Sequence, residues 1–266
     1  MTDSPTTAPR PPAIALLGVG AIGGLLAGFF GVGGGIVMVP LLLAWAGMNQ
    51  RRAQATSLLA IAPAALVGTA SYAVGGIFPI VPALLVALGA LVGAQLGALL
   101  LRTLSLGWLE WTFVLFVLAM AGSLFFTVPN RGEGLEVDLV VAAALIGIGT
   151  VMGIAAGLFG IGGGIIAIPA LMLIFGIGDL EAKGVSLIAM APAALSGSFS
   201  HLRHRVATLR DGAWVALAAL LITPVGSFGA FLLAEEWANV VFGAFASAIG
   251  LTLLVRAFRK RKRARR

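Results

Sequence analysis

The sequence predicts an all-α membrane protein of about ten transmembrane helices in two inverted-topology repeats of five, with short or broken helices at two GxGGG motifs. Three observations carry that expectation. Of 266 residues, 60% are hydrophobic and 10% charged, with mean hydropathy +1.08, so the chain lacks the polar surface of a soluble domain of this size. One stretch occurs twice in apolar surroundings, as GFFGVGGGIVMVP from Gly28 to Pro40 and as GLFGIGGGIIAIP from Gly157 to Pro169. Charge is also segregated: the formal charge is +7, and eight of the 17 Lys and Arg residues fall between Arg256 and Arg266.

The first twelve residues, MTDSPTTAPRPP, are polar and proline-rich. They lack a basic n-region, and no A-x-A site follows the next apolar run, so that run reads as a retained first span. Apolar runs delimited by charge, Gly and Pro lie at about 13 to 30, 36 to 47, 56 to 73, 79 to 101, 106 to 127, 139 to 157, 165 to 178, 185 to 200, 212 to 234 and 238 to 256. A full span needs about 20 residues. The second and seventh runs fall short and directly follow the glycine triplets, so they read as half-helices or re-entrant segments. The chain then divides into a disordered cytoplasmic N-terminus (1–12), a first membrane repeat (13–127), a connecting loop (128–138), a second repeat (139–256) and a basic cytoplasmic tail (257–266).

The halves repeat without a gap at an offset of 129 residues, and 24 of the 53 positions from Gly20 to Tyr72 are identical to Gly149 to His201. The shared pattern includes AxxxSLxAxAPAALxG, from Ala53 to Gly68 and from Ala182 to Gly197. Five helices per half is an odd number, so the second copy enters the membrane upside down. In such repeats the binding site lies near the midplane, where the copies meet.

The distribution of basic residues agrees with ten crossings and with both termini in the cytoplasm. Inner segments then hold Arg10, Arg51, Arg52, Arg102, Arg203, Arg205, Arg210 and the eight tail residues, whereas the outer loops hold Arg131 and Lys183. If the two short helices returned to their own side, Arg51 and Arg52 would lie opposite Arg10. Trp45, Trp108, Trp111, Trp214 and Trp237 fall at the ends of expected spans, where interfacial belts form, and Glu110 falls between two of them.

Three successive glycines and a proline weaken a helix by about 1 kcal/mol per Gly and about 3 per Pro. In hydrocarbon, the peptide groups of a broken helix are tolerated only where protein or a water-filled cavity satisfies them. A duplicated break is therefore a candidate binding site, here Gly31, Gly33, Gly34 and Gly35 with Gly160, Gly162, Gly163 and Gly164. Helix starts at Ile36 and Ile165 would aim free N–H groups into the breaks, which is how anions are held without a formal charge. Close helix packing is the competing reading. Thr56, Ser57 and Ser186 begin the next helices, as hydroxyl donors to a ligand or as N-caps. Pro40 and Pro169 close the motifs, and Pro63 and Pro192 sit mid-helix in matching AP steps; all four are expected kink positions.

Other features read as structural. Gly18, Gly20 and Gly23 spell GxGxxG, but in an apolar helix with no acidic residue near twenty positions on. The rows Gly20, Gly24, Gly28; Gly149, Gly153, Gly157; and Gly89, Gly93, Gly97 instead let helices approach closely. Gln95, inside an expected span, is either an interhelical hydrogen bond or a pore-lining group. There is no cysteine, which excludes disulfides, thiol chemistry and Cys-ligated metal. His201 and His204, in HLRHR, read as a solvated loop rather than a metal site. The tail RKRKRARR reads as a grip on anionic inner-leaflet lipid rather than on nucleic acid. No cofactor or metal is expected, and the oligomeric state is open.

The pair GxGGGxxxxP with a following TSL or VSL step, Gly31 to Pro40 with Thr56 to Leu58 and Gly160 to Pro169 with Val185 to Leu187, resembles the TauE/SafE sulfite exporter family from about residue 13 to 256. The resemblance implies an inner-membrane permease for sulfite, organosulfonates or other small anions. Val185 stands where the first half has Thr56, removing one hydroxyl. The expected function is a non-enzymatic transporter of a small, sulfur-containing anion. A scaffold would not need duplicated breaks. An intramembrane enzyme would need a base that no expected span carries in its middle. With Glu110 the only acid in an expected span, the driving force reads as membrane potential; sodium- or proton-coupled import is the alternative.

Overall fold

The computed structural model describes residues 11–105, 107–109, 111–115, 118, 135, 137–232, 244, 247–248, 250–252 and 254–255. Eight helices have defined limits: α1 (Ala13–Phe30), α2 (Gly35–Trp45), α3 (Gln50–Val74), α4 (Ile80–Thr103), α5 (Leu139–Phe159), α6 (Gly164–Phe175), α7 (Asp179–Arg203) and α8 (Leu209–Leu232). No strand occurs among the described residues. All but α2 and α6 are long and apolar enough to cross a membrane. The expected helices over 106–127 and 238–256 fall largely outside the described residues, although the parts described there are helical. Residues 1–10, most of 128–138, the tail, Glu110, Arg131 and Trp237 also lie outside them.

Local chemistry sets the helix ends. Gly31 and Gly160 turn left-handed after α1 and α5, and their N–H groups close the last turns on Ala27 and Ala156. Asn49 caps α3 by accepting from Arg52 N, and Asp138 caps α5 by accepting from Val141 N. α3 starts at Gln50 and α7 at Asp179, six residues before the sequence reading placed them. Their first turns are polar, so hydropathy puts the boundary late. Lys183 is thus no outer-loop residue: it lies within α7, 3% exposed. Pro40, Pro63, Pro169 and Pro192 all sit inside helices that continue through them.

The glycine rows do what their spacing predicts. A Cβ on Gly20, Gly24 or Gly28 would overlap the carbonyl oxygen of Val215, Ala219 or Thr223, so α1 runs parallel to α8 at near backbone contact. Likewise Gly149, Gly153 and Gly157 of α5 lie on the carbonyls of Val86, Ala90 and Ala94 of α4, and Gly89, Gly93 and Gly97 of α4 face α5 in return. Each half's first helix therefore packs on the other half's fourth. Gly153→Val should cost about 3 kcal/mol, because an added side chain meets rigid backbone. A detergent melting curve unchanged from wild type would contradict this packing.

The short helices double back. Gly34 lies at the Gly23 carbonyl, Met38 fills the space beside Gly23, and Trp45 reaches Gly18, so α2 starts halfway along α1 and returns toward the end where α1 begins. Gly163 at the Met152 carbonyl places α6 on α5 in the same way. Where α2 ends, Arg51 donates to the Leu101 and Leu104 carbonyls at the end of α4, and Arg52 pairs with Asp211 at the start of α8. Arg51 and Arg52 thus stand at the end from which α1 starts. Gln95 Nε2 donates to Ser196 O at 2.9 Å and to Ser196 Oγ at 2.6 Å, an interhelical bond between α4 and α7.

Candidate functional site: two facing helix breaks

Both breaks are left-handed at three glycines. Gly31, Gly33 and Gly34 have φ of 67°, 87° and 69°, and Gly160, Gly162 and Gly163 have 65°, 85° and 83°. An L side chain is strained in that region, so glycine is required there. The fourth glycine of each motif has another reason. A Cβ on Gly35 would overlap the Gly160 carbonyl, and one on Gly164 would come 2.7 Å from Gly31 O and 2.5 Å from Ser186 Oγ. The two breaks therefore touch each other, although 129 residues separate them in sequence.

Their hydrogen bonding is lopsided. The amides of Val32 to Ile36 and of Ile161 to Ile165 donate to no acceptor among the described residues. The carbonyls that open the breaks are occupied: Ser186 Oγ donates to Gly31 O at 3.1 Å, and Ser57 Oγ donates to Gly160 O at 2.8 Å. A trans peptide points its C=O and N–H in opposite directions. Fixing the Gly31 carbonyl on α7 thus turns the Val32 N–H away from that helix, and Ser57 does the same for Ile161. Two runs of amides with no acceptor among the described residues thus stand at the starts of the half-helices, where a helix N-terminus favours an anion.

These hydroxyls are not N-caps, because they lie two turns inside α3 and α7. Nor are their protons free for a ligand, since each serves a carbonyl of the opposite break. Thr56 differs: its Oγ1 is buried without a partner, and Val185 takes its place in the second half. At the centre, the Met190 thioether fills the gap between the breaks. A Cβ on Gly33 would stand 2.5 Å from Met190 Sδ, and one on Gly162 2.6 Å from it, with Ile61 Cγ2 at 3.2 Å. Ile61 and Met190 hold the same register in the two halves.

The carbonyls just before the breaks are held too. Tyr72 OH donates to Gly28 O at 3.2 Å, and His201 Nε2 bonds Gly157 O at 3.2 Å. His201 is fully buried inside α7, which overturns its reading as a loop residue: the apolar helix continues past it to Arg203. Two polar pairs were also missed. On α7, Asp179 and Lys183 form a buried ion pair; on α3, Gln50 and Gln54 occupy the same register, with Gln50 Nε2 and both amide atoms of Gln54 unpartnered. Acids are therefore present in apolar helices, with Asp179 and Glu181 in α7 and Asp211 in α8. That removes the premise that only Glu110 could serve a proton.

Known proteins supply the family. The sequence matches the family described as "Sulfite exporter TauE/SafE" over residues 2–124 and 145–266, nearly all of both halves. The chain belongs to the TauE/SafE family. This TauE/SafE chain is 28% identical over 263 residues to a "Probable membrane transporter protein" of Xylella fastidiosa (strain Temecula1), covering 92% of this chain and 96% of that protein. It is also 28% identical over 213 residues to the "Probable membrane transporter protein YunE" of Bacillus subtilis, covering 71% of this chain and 78% of that one. No solved structure matches. The family is one of membrane transporters, and this TauE/SafE chain is a multi-pass membrane protein.

Proposed function

We propose that the protein carries a small oxoanion, sulfite or an organosulfonate, across the inner membrane through the contact between its two glycine breaks, driven by the membrane potential. The observation that carries this reading is the pair of buried amide runs, Val32–Ile36 and Ile161–Ile165, which donate to no acceptor among the described residues and belong to two breaks that close on Met190. A buried amide without a partner costs about 1–3 kcal/mol. Ten of them in one place are tolerable if an anion or its hydration water fills them in the transport cycle. Gly31, Gly33, Gly34, Gly35, Gly160, Gly162, Gly163 and Gly164 shape the cradle, Thr56 adds a hydroxyl, and Ser57 and Ser186 orient the peptides.

In this reading the halves are inverted in the bilayer and both termini are cytoplasmic, with the basic tail on anionic lipid. The parallel contacts of α1 with α8 and of α5 with α4 support it together with Arg51, which joins the end of α4 to the end from which α1 starts: α4 then runs against α1, and equivalent helices run in opposite directions. Purified protein in proteoliposomes should release trapped sulfite or methanesulfonate faster than empty vesicles, saturably, and should not release a neutral solute such as dimethyl sulfone. Release of the neutral solute at the same rate would sink the reading. In this Cys-free chain, Asn49→Cys and Gly178→Cys should be labelled from opposite faces; labelling from one face would dismiss the inverted repeat.

A second reading has its own observation. Asp179 is buried with one carboxylate oxygen free, and intramembrane acids serve proton relays in coupled transporters. Transport that follows a pH gradient and not a voltage would favour it.

A further inference from the structure

We propose that Lys183 is an anion-binding residue of the transport path, and that the Asp179 carboxylate is a placeholder which the transported anion displaces from it. This rests on the anion reading above and adds a residue to it. Both side chains are buried, at 3% and 2% exposure, and they pair one turn apart on α7. The pair is incomplete. Among the described residues Lys183 Nζ donates only to Asp179 Oδ2, and Asp179 Oδ1 accepts nothing. An ammonium has three donors and a carboxylate two acceptor oxygens, so capacity is left open where water is excluded and open capacity is costly.

The lysine stem lies on the break itself. A Cβ on Gly31 would come 2.7 Å from both Cβ and Cγ of Lys183, so the lysine stem packs on the first glycine of the run whose amides donate to no acceptor among the described residues. The first half supplies an internal comparison. Gln50 and Gln54 take the places of Asp179 and Lys183 and are 4% and 0% exposed; Gly160 lies against the Gln54 backbone, where Gly31 lies against the Lys183 stem. The fold thus accepts a neutral pair at this position. Buried ion pairs are often no more stabilising than neutral residues of similar size, so packing alone gives no reason for the charge. An ammonium held by a removable carboxylate beside free amides fits a compact oxoanion: its oxygens take the amides, and its charge replaces Asp179 on Lys183. Because only one half carries the lysine, the path has a fixed positive charge near the end where α7 begins and neutral amides near the end where α3 begins.

Sulfite efflux from proteoliposomes is the probe. If wild type releases sulfite no faster than empty vesicles, the anion reading itself is lost. Given wild-type efflux, Asp179→Gln combined with Lys183→Gln, which rebuilds the pair of the first half, is expected to raise KM for sulfite about tenfold, the scale of a lost charge-assisted hydrogen bond. Lys183→Arg, which keeps the charge, should retain most of the affinity. Asp179→Asn, which removes the placeholder but keeps the lysine, should lower KM. An unchanged KM in the double variant, or a KM that rises in Asp179→Asn, overturns the assignment and leaves the pair a packing feature. Should the double variant fail to accumulate, the sign of the Asp179→Asn change decides alone.

Discussion

Gly33→Ala and Gly162→Ala should each reduce transport more than about tenfold while leaving normal amounts of protein in the membrane. The strain of a left-handed alanine is about 1–2 kcal/mol, which a protein of this size can absorb. The added methyl meets first the flexible Met190 thioether and only then, at 3.2–3.3 Å, a carbonyl oxygen of the opposite break, so the damage centres on the gap between the breaks. Gly34→Leu and Gly163→Leu are different in kind: their side chains would be driven into the Gly23 and Met152 carbonyls. Those variants should accumulate poorly. Adding Met190→Ala to Gly33→Ala frees the space that the methyl invades and should restore part of the activity. Normal transport by well-inserted Gly33→Ala and Gly162→Ala would place the pathway elsewhere.

An inside-negative potential should accelerate anion efflux strongly. At roughly 2.3 kcal/mol per charge per 100 mV, a monoanion is expelled with a bias of about fifty-fold, and a dianion with the square of that. Vesicles holding sulfite and potassium, with valinomycin added outside, impose such a potential. Efflux should rise with it and stay flat under a proton gradient alone. Indifference to voltage with dependence on pH would transfer the driving force to Asp179, and dependence on sodium would point to a cation site that the lysine beside Asp179 disfavours.

Much of the fold was legible because membrane sequences have few ways to satisfy a backbone. Long apolar runs predict spans, glycines at spacing four predict close helix pairs, and the glycine triplets predict the breaks at Gly31–Gly34 and Gly160–Gly163. What periodicity cannot supply is the partner. Ser57 reaches a carbonyl 103 residues away and Ser186 one 155 residues away, so their role in fixing the opposite break was invisible along the chain. Met190 reads as one more apolar residue until two glycine loops are seen to close on it. Lys183 was misplaced for a physical reason. Hydropathy assigns a charged residue at the edge of an apolar run to water, whereas here the other half of the molecule covers the first turns of α7. The signal was nevertheless present: the 129-residue offset that aligns the glycine motifs also sets Gln50 and Gln54 against Asp179 and Lys183 at the same i, i+4 spacing.

The crossed pairing of α1 with α8 and of α4 with α5 also fixes an order of assembly during synthesis. α4 meets α5 soon after both leave the ribosome, but α1 has to wait until nearly the whole chain has emerged before α8 covers its glycine row. Until then Gly20, Gly24 and Gly28 face lipid or the insertion machinery, and the first break has no second break to close against. The nascent protein therefore passes through an interval in which the glycine row of α1 lacks its partner, which ends only when α8 arrives. A chain truncated before Leu209 should remain in that open state, with its first helix accessible to crosslinking partners that the finished protein excludes.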